Sequence, residues 1–433
     1  MQTDPGSAFD LIVRRAVVQS GSEPIDIGIR DGRIAALAPR LDALAPERDA
    51  GGRLVIAGFV ETHIHLDKAC ILGRCGHGHA DLAAAIRAVA ALKPSFTADD
   101  VYARGARVLD TAIAKGTTRM RTHVEVDPRA GLRSFEAIKA LRRDYRWALD
   151  LSICAFPQEG LTNDPGTEDL LAEALAAGAD ALGGCPYTDS DPHGQIGRLF
   201  ELAARFDVDL DFHLDFDLDP TWMHLDEIVR QTRRHGYGRR VAVGHVTKLS
   251  ALPAGERDRI ADQLAEAGVA VTVLPATDVY LMGRDASHSA PRGLTPAHRL
   301  AARGVVCSIA SNNILNPFTP FGDASLLRMA NFYAHVAHVD PSEIGACLDL
   351  VTTAPARLLR LTDYGLAVGH PADLVVLDAV TATEAVGEIA QPLLGLKAGR
   401  PTFEHARARL LPPGAQARVR AGTLRPGTLT NLN

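Results

Sequence analysis

Ala57-Gly58-Phe59-Val60-Glu61-Thr62-His63-Ile64-His65-Leu66-Asp67-Lys68 begins as an apolar strand and ends in a run of ionisable side chains. Successive strand side chains alternate between faces, so His63, His65 and Asp67 share one side. Two imidazoles on one face, one residue apart, can reach a single ion, and neutral imidazole suits zinc, iron and related metals. The other reading is a pair of interior histidines satisfied by hydrogen bonds. Placement at the end of a first barrel-like strand favours the metal, because α/β barrels collect functional groups at the C-terminal ends of their strands.

Working outward, the pattern repeats. Strand candidates are 56–66, 117–126, 149–156, 181–187, 209–216, 240–247, 269–274 and 305–310, and helical stretches such as 99–115, 167–177, 194–204 and 254–267 lie between them. Eight strands alternating with helices predict an α/β protein built on a (β/α)8 TIM-type barrel with a parallel sheet. An open doubly wound sheet is the alternative, weakened because no Gly-x-Gly-x-x-Gly follows the first strand. Short strands with a turn at Asp31-Gly32 precede the barrel, and strand-like runs at 372–377 and 393–399 follow it. The expected division is 1–56 and 366–433 as two parts of one small β domain, with the barrel at 57–365. The tail from Pro412 reads as loosely held.

Composition narrows the function. Lys plus Arg is 46 against Asp plus Glu 52, a net charge of -6, which offers no electrostatic footprint for nucleic acid. No run of about 18 uncharged apolar residues predicts a membrane span. Six scattered cysteines form no dense disulfide framework and no paired CxxC, and the first residues lack a basic-then-apolar leader. The expectation is a cytoplasmic homo-oligomer acting on a small molecule, with neither nucleic acid nor membrane as partner.

Further strand ends carry chemistry. The fifth ends in Asp211-Phe212-His213-Leu214-Asp215-Phe216-Asp217, where alternation turns His213 and Asp215 the same way. The sixth ends in Gly244-His245, the third in Phe156-Pro157-Gln158-Glu159-Gly160, and the eighth in Ser311-Asn312-Asn313. His123 and Glu125 lie on the second. Polar groups closing buried strands need partners, since each left unpaired costs about 1–3 kcal/mol. His77 and His79, in a Gly-rich loop, read as lid or surface residues.

The 57–67 run, Arg121-Thr122-His123-Val124, Ala155 to Gly160, Gly244-His245 and the segment Pro317 to Gly322 followed by Leu326 together resemble the cytosine deaminase branch of the amidohydrolase superfamily. That branch includes isopropylammelide hydrolases. The motifs fall in family order from about residue 9 to residue 400. The resemblance implies one divalent metal, zinc or iron, held by His63, His65, His213 and the position of Asn312. It further implies a proton-handling His245, and Gln158 on the amide edge of the substrate. Two positions depart from the family: Asn312 stands for an Asp and Phe216 for a Glu. Asn cannot act as a base at neutral pH, and Phe cannot carry a proton at all.

The expected activity is hydrolysis of a C–N bond in a small cyclic amide, urea or amino-heterocycle by metal-activated water. His245 and Asp215 are the expected catalytic pair, with Asp217 and Asp278 as the next candidates for the missing carboxylate. Lys68, Gln158, Asn313 and Phe318 are expected to bind substrate. The alternatives are N-alkyl or ring-amide hydrolysis, or a catalytically impaired binding protein that kept its pocket.

Overall fold

The computed structural model describes residues 9–76 and 81–411; His77, His79 and the tail from Pro412 lie outside the described residues. At its centre eight strands run parallel in sequence order: β1 (Phe59–Ile64), β2 (Thr117–Glu125), β3 (Asp150–Phe156), β4 (Ala181–Gly184), β5 (Asp209–Leu214), β6 (Val241–His245), β7 (Val269–Val273) and β8 (Cys307–Ile309). The ring closes just beyond β8. There Asn312 N donates to His63 O at 2.8 Å, and His65 N donates to Asn312 O at 2.9 Å. The fold is the (β/α)8 barrel read from the sequence.

The helices form where sequence signals place them. Helix Ala98–Ala114 starts at Thr97, whose hydroxyl accepts from Asp100 N, and carries Asp99 and Asp100 against its positive end. It buries Val101, Val108, Leu109 and Ile113, each contributing about 1.5–3 kcal/mol. Gly116, at φ +91°, then turns the chain into β2 so closely that a Cβ would lie 3.1 Å from the Phe59 ring. β2 is paired with β3 from Arg119–Asp150 through Glu125–Phe156, which carries His123 and Glu125 to the working end of the barrel.

Both termini build strands, which form two four-stranded sheets. Arg33–Ala38, Ile25–Arg30, Leu11–Ala16 and Glu47–Asp49 form the first; Arg400–Glu404, Pro392–Lys397, Leu374–Leu377 and Val55–Ile56 form the second. The N-terminal segment is split between them by Gly51 and Gly52, both at positive φ (63° and 74°), between Glu47–Asp49 and Val55–Ile56. The sheets share one apolar core that includes Val13, Ile27, Ile29, Val55, Leu374 and Val376. Among the described residues no helix is long and apolar enough to cross a membrane.

Candidate functional site

Three histidines converge at the C-terminal mouth. His63 on β1, His65 just after it and His213 on β5 are buried, with Nε2 of His213 3.0 Å from Nε2 of His63 and 3.1 Å from Nε2 of His65. Burial, followed by neighbouring positive charges, pushes all three well below the usual histidine range, so each offers a neutral lone pair. Nitrogens around a tetrahedral zinc at 2.0–2.1 Å would lie about 3.3 Å apart, close to this spacing. The three Nδ1 atoms have no hydrogen-bond partner. Asp211 approaches from the side, 4.0 Å from His63 Nδ1 and 3.5 Å from His123 Nε2, while Arg121 Nη1 donates to it at 3.1 Å.

Asn312 stands beside them because its backbone closes the barrel. Its φ of +60° lies in the left-handed region, which Asn tolerates better than most residues. The side chain is 1% exposed, and Oδ1 has no partner. A buried, unpaired carbonyl oxygen next to three neutral imidazoles is a donor set that fits a divalent ion.

On β6, His245 Nδ1 meets Asp278 Oδ1 at 2.6 Å. Burial raises the Asp278 carboxyl, opposed by the charge of His245, and Leu274 N donates to its second oxygen. Phe216 lies flat against His245, with ring centroids 3.7 Å apart and planes 20° apart. Asp278, from helix Pro275–Leu281, therefore provides the carboxylate contact that the sequence reading gave first to Asp215.

The structure turns Asp215 elsewhere. β5 ends at Leu214 and Asp215 adopts φ +46°, so strand alternation stops one residue before it. Its carboxylate accepts from His224 N and Leu225 N at the start of helix Leu225–His235. Asp215→Ala is expected to cost about 1–3 kcal/mol in chemical denaturation, through two lost bonds at a helix start, while bound metal stays unchanged. Asp217 pairs with Lys248 at 3.1 Å, half exposed.

Lys68, Gln158, Asn313 and Phe318 line the same pocket, joined by Tyr187 and Thr277. Lys68 is buried rather than solvated. Its Nζ donates to Glu125 Oε1 at 2.7 Å and Gln158 Oε1 at 3.0 Å, and lies 4.5 Å over the Phe318 ring. Gln158 Nε2 donates to Cys185 Sγ at 3.3 Å. Asn313 Oδ1 accepts from Asn316 Nδ2 at 2.7 Å. Asn313 also borders a larger cavity of about 620 Å³ lined by Tyr280, Ile314, Phe321, Met329 and Phe332.

Behind Lys68 lies a charge cluster that sequence reasoning missed. Lys93 Nζ sits 2.5 Å from Glu125, 2.6 Å from Asp127 and 2.6 Å from Glu159. Burial and the Glu125 charge push the Glu159 carboxyl up to about 8. Asp127 is buried too, but Lys93 outweighs that and holds it at about 2. These three carboxylates have metal-like spacing, yet an ammonium fills the space between them.

Comparison with known proteins identifies the family. An amidohydrolase family model matches residues 135–403. Pterin deaminase of Rhizobium rhizogenes is 31% identical over 82% of both chains. N-isopropylammelide isopropyl amidohydrolase of Pseudomonas sp. (strain ADP) is 27% identical, covering 90% of this chain and 96% of that one. The crystal structure of 5-methylcytosine deaminase from Klebsiella pneumoniae liganded with 5-fluorocytosine superposes with a TM-score of 0.89 at 29% identity, covering 93% of this chain and all of the other. The chain belongs to the amidohydrolase family, in its cytosine deaminase-like branch, and is a hydrolase of carbon–nitrogen bonds.

Proposed function

We propose that this chain is a metal-dependent hydrolase of a small amino-heterocycle or cyclic amide, with His63, His65 and His213 as metal ligands and Asn312 Oδ1 as the fourth protein donor. The observation that carries this reading is the convergence of three neutral Nε2 atoms and one unpaired buried carbonyl oxygen beside the His245–Asp278 pair. When bound, a divalent ion such as zinc or iron lowers the pKa of its water toward about 7 and polarises the bond under attack.

The chain's own residues supply the rest. Asp278 accepts the Nδ1 proton of His245, which leaves Nε2 of His245 to take a proton from the attacking water and return it to the leaving nitrogen. Asn312 holds no proton to exchange, and Phe216 excludes water from one face of His245. Lys68 and Gln158 together offer a donor and an amide edge to a planar substrate, whose face packs on Phe318.

The reading is tested by loading purified protein with zinc or iron(II) and presenting cytosine, 5-methylcytosine, pterin and N-isopropylammelide. Turnover of at least one compound, abolished by a chelator, is expected. No turnover by fully loaded protein would leave a pocket that binds without reacting. N-alkyl cleavage is the second reading, favoured by the apolar Phe216 ring beside the proton-handling histidine; ammonia or alkylamine in the product separates the two.

Asn312→Asp adds a negative donor at the same backbone position. It is expected to tighten zinc binding in competition with a chromogenic chelator, because a carboxylate oxygen replaces a neutral amide oxygen among the ligands. Unchanged affinity would place side chain 312 outside the ion's reach.

A further inference from the structure

We infer that Lys93 is a positioning residue whose ammonium occupies the space between Glu125, Asp127 and Glu159 and so leaves Lys68 directed into the pocket. The inference rests on reading that pocket as the substrate site. Lys93 belongs to none of the barrel strands. It starts the short turn Lys93–Ser95, follows helix Leu82–Leu92, and reaches inward with its side chain 1% exposed.

Glu125 is the shared element. One of its oxygens lies 2.5 Å from Lys93 Nζ and the other 2.7 Å from Lys68 Nζ. Lys68 in turn lies 3.0 Å from Gln158 Oε1, on the pocket wall. Lys93 Nζ thus stands against Glu125, Asp127 and Glu159 together, while Lys68 Nζ stands against Glu125, whose backbone N donates to the buried Asp67. Among the described residues Lys93 is the one cation paired with both Asp127 and Glu159, so its removal leaves those carboxylates without a counter-charge.

Removing Lys93 would leave an oxygen-lined hole one carboxylate away from the remaining cation. Unpaired buried carboxylates are costly, and a long flexible amine is the cheapest group to move toward them. Lys68 is that amine. Its withdrawal would break the contact with Gln158 and take the positive charge from the substrate position.

The test is the crystal structure of Lys93→Ala, with Lys93→Gln as a milder uncharged variant and Lys93→Arg as the charge-conserving one. In the uncharged variants the Lys68 Nζ to Gln158 Oε1 distance is expected to exceed hydrogen-bond reach, with Nζ turned toward Asp127. Ethylammonium chloride soaked into Lys93→Ala is expected to refill the space and restore the contact, and Lys93→Arg is expected to keep it. For any compound turned over by the native enzyme, KM is expected to rise at least tenfold in the uncharged variants, with a smaller change in kcat. Lys68 still bonded to Gln158 in both uncharged variants overturns the inference and reduces Lys93 to a residue of fold stability. That structural outcome is read without substrate, so it stays separate from a failure of the proposed activity.

Discussion

Substituting His63 or His213 by alanine is expected to empty the centre of metal and lower kcat/KM by at least a thousandfold, on the order of 4 kcal/mol of transition-state stabilisation. Each substitution removes one of three neutral nitrogens that meet within 3.0–3.1 Å. Two imidazoles and a neutral amide oxygen form a much poorer set for zinc, whose usual protein ligands are Cys, His and Asp or Glu. Elemental analysis of the purified variants, set beside their turnover, is the measurement. Full metal content in both variants would remove these residues from the site. Both side chains are buried in a crowded mouth, so near-native thermal unfolding of the variants should be shown alongside.

His245→Gln is expected to give the second large effect: kcat lowered by about 10²–10⁴-fold, the usual contribution of a positioned acid–base group, with metal content unchanged. Glutamine keeps a polar group in the space beside Phe216 but cannot exchange a proton at neutral pH. Asp278→Asn should reproduce part of the loss, because an amide can no longer hold the His245 Nδ1 proton as a carboxylate does. Equal activity of His245→Gln and native enzyme would mean that protons move by another route.

Much of this was legible in the sequence. The eight strands and the helices between them follow from apolar runs of the right length, and helix Ala254–Ala267 falls where the pattern puts it. Alternation put His63 and His65 on one side of their strand, and the resemblance to the cytosine deaminase branch added His213 to them. The same rule failed at Asp215, where a left-handed residue ends the alternation. The pairing of His245 with Asp278 joins the end of β6 to the helix after β7, and periodicity says nothing about how two such elements approach one another. Lys93 was invisible for a similar reason: it lies in a helix-to-turn junction and carries no motif, and only the packed structure brings its amine to the carboxylates. The terminal sheets were seen as strands but not as two sheets, because Glu47–Asp49 and Val55–Ile56 are too short to carry a pattern.

The two backbone bonds between Asn312 and the His63–His65 stretch have a consequence for how this site can change. They are made by main-chain atoms, so they are indifferent to which side chain residue 312 carries, provided it accepts a left-handed backbone. Asp and Asn both do. The barrel's seam is thus mended by the peptide, while the side chain above it is free to vary between an anionic and a neutral donor. A mutation there can retune the electrical character of the centre without loosening the ring that holds it.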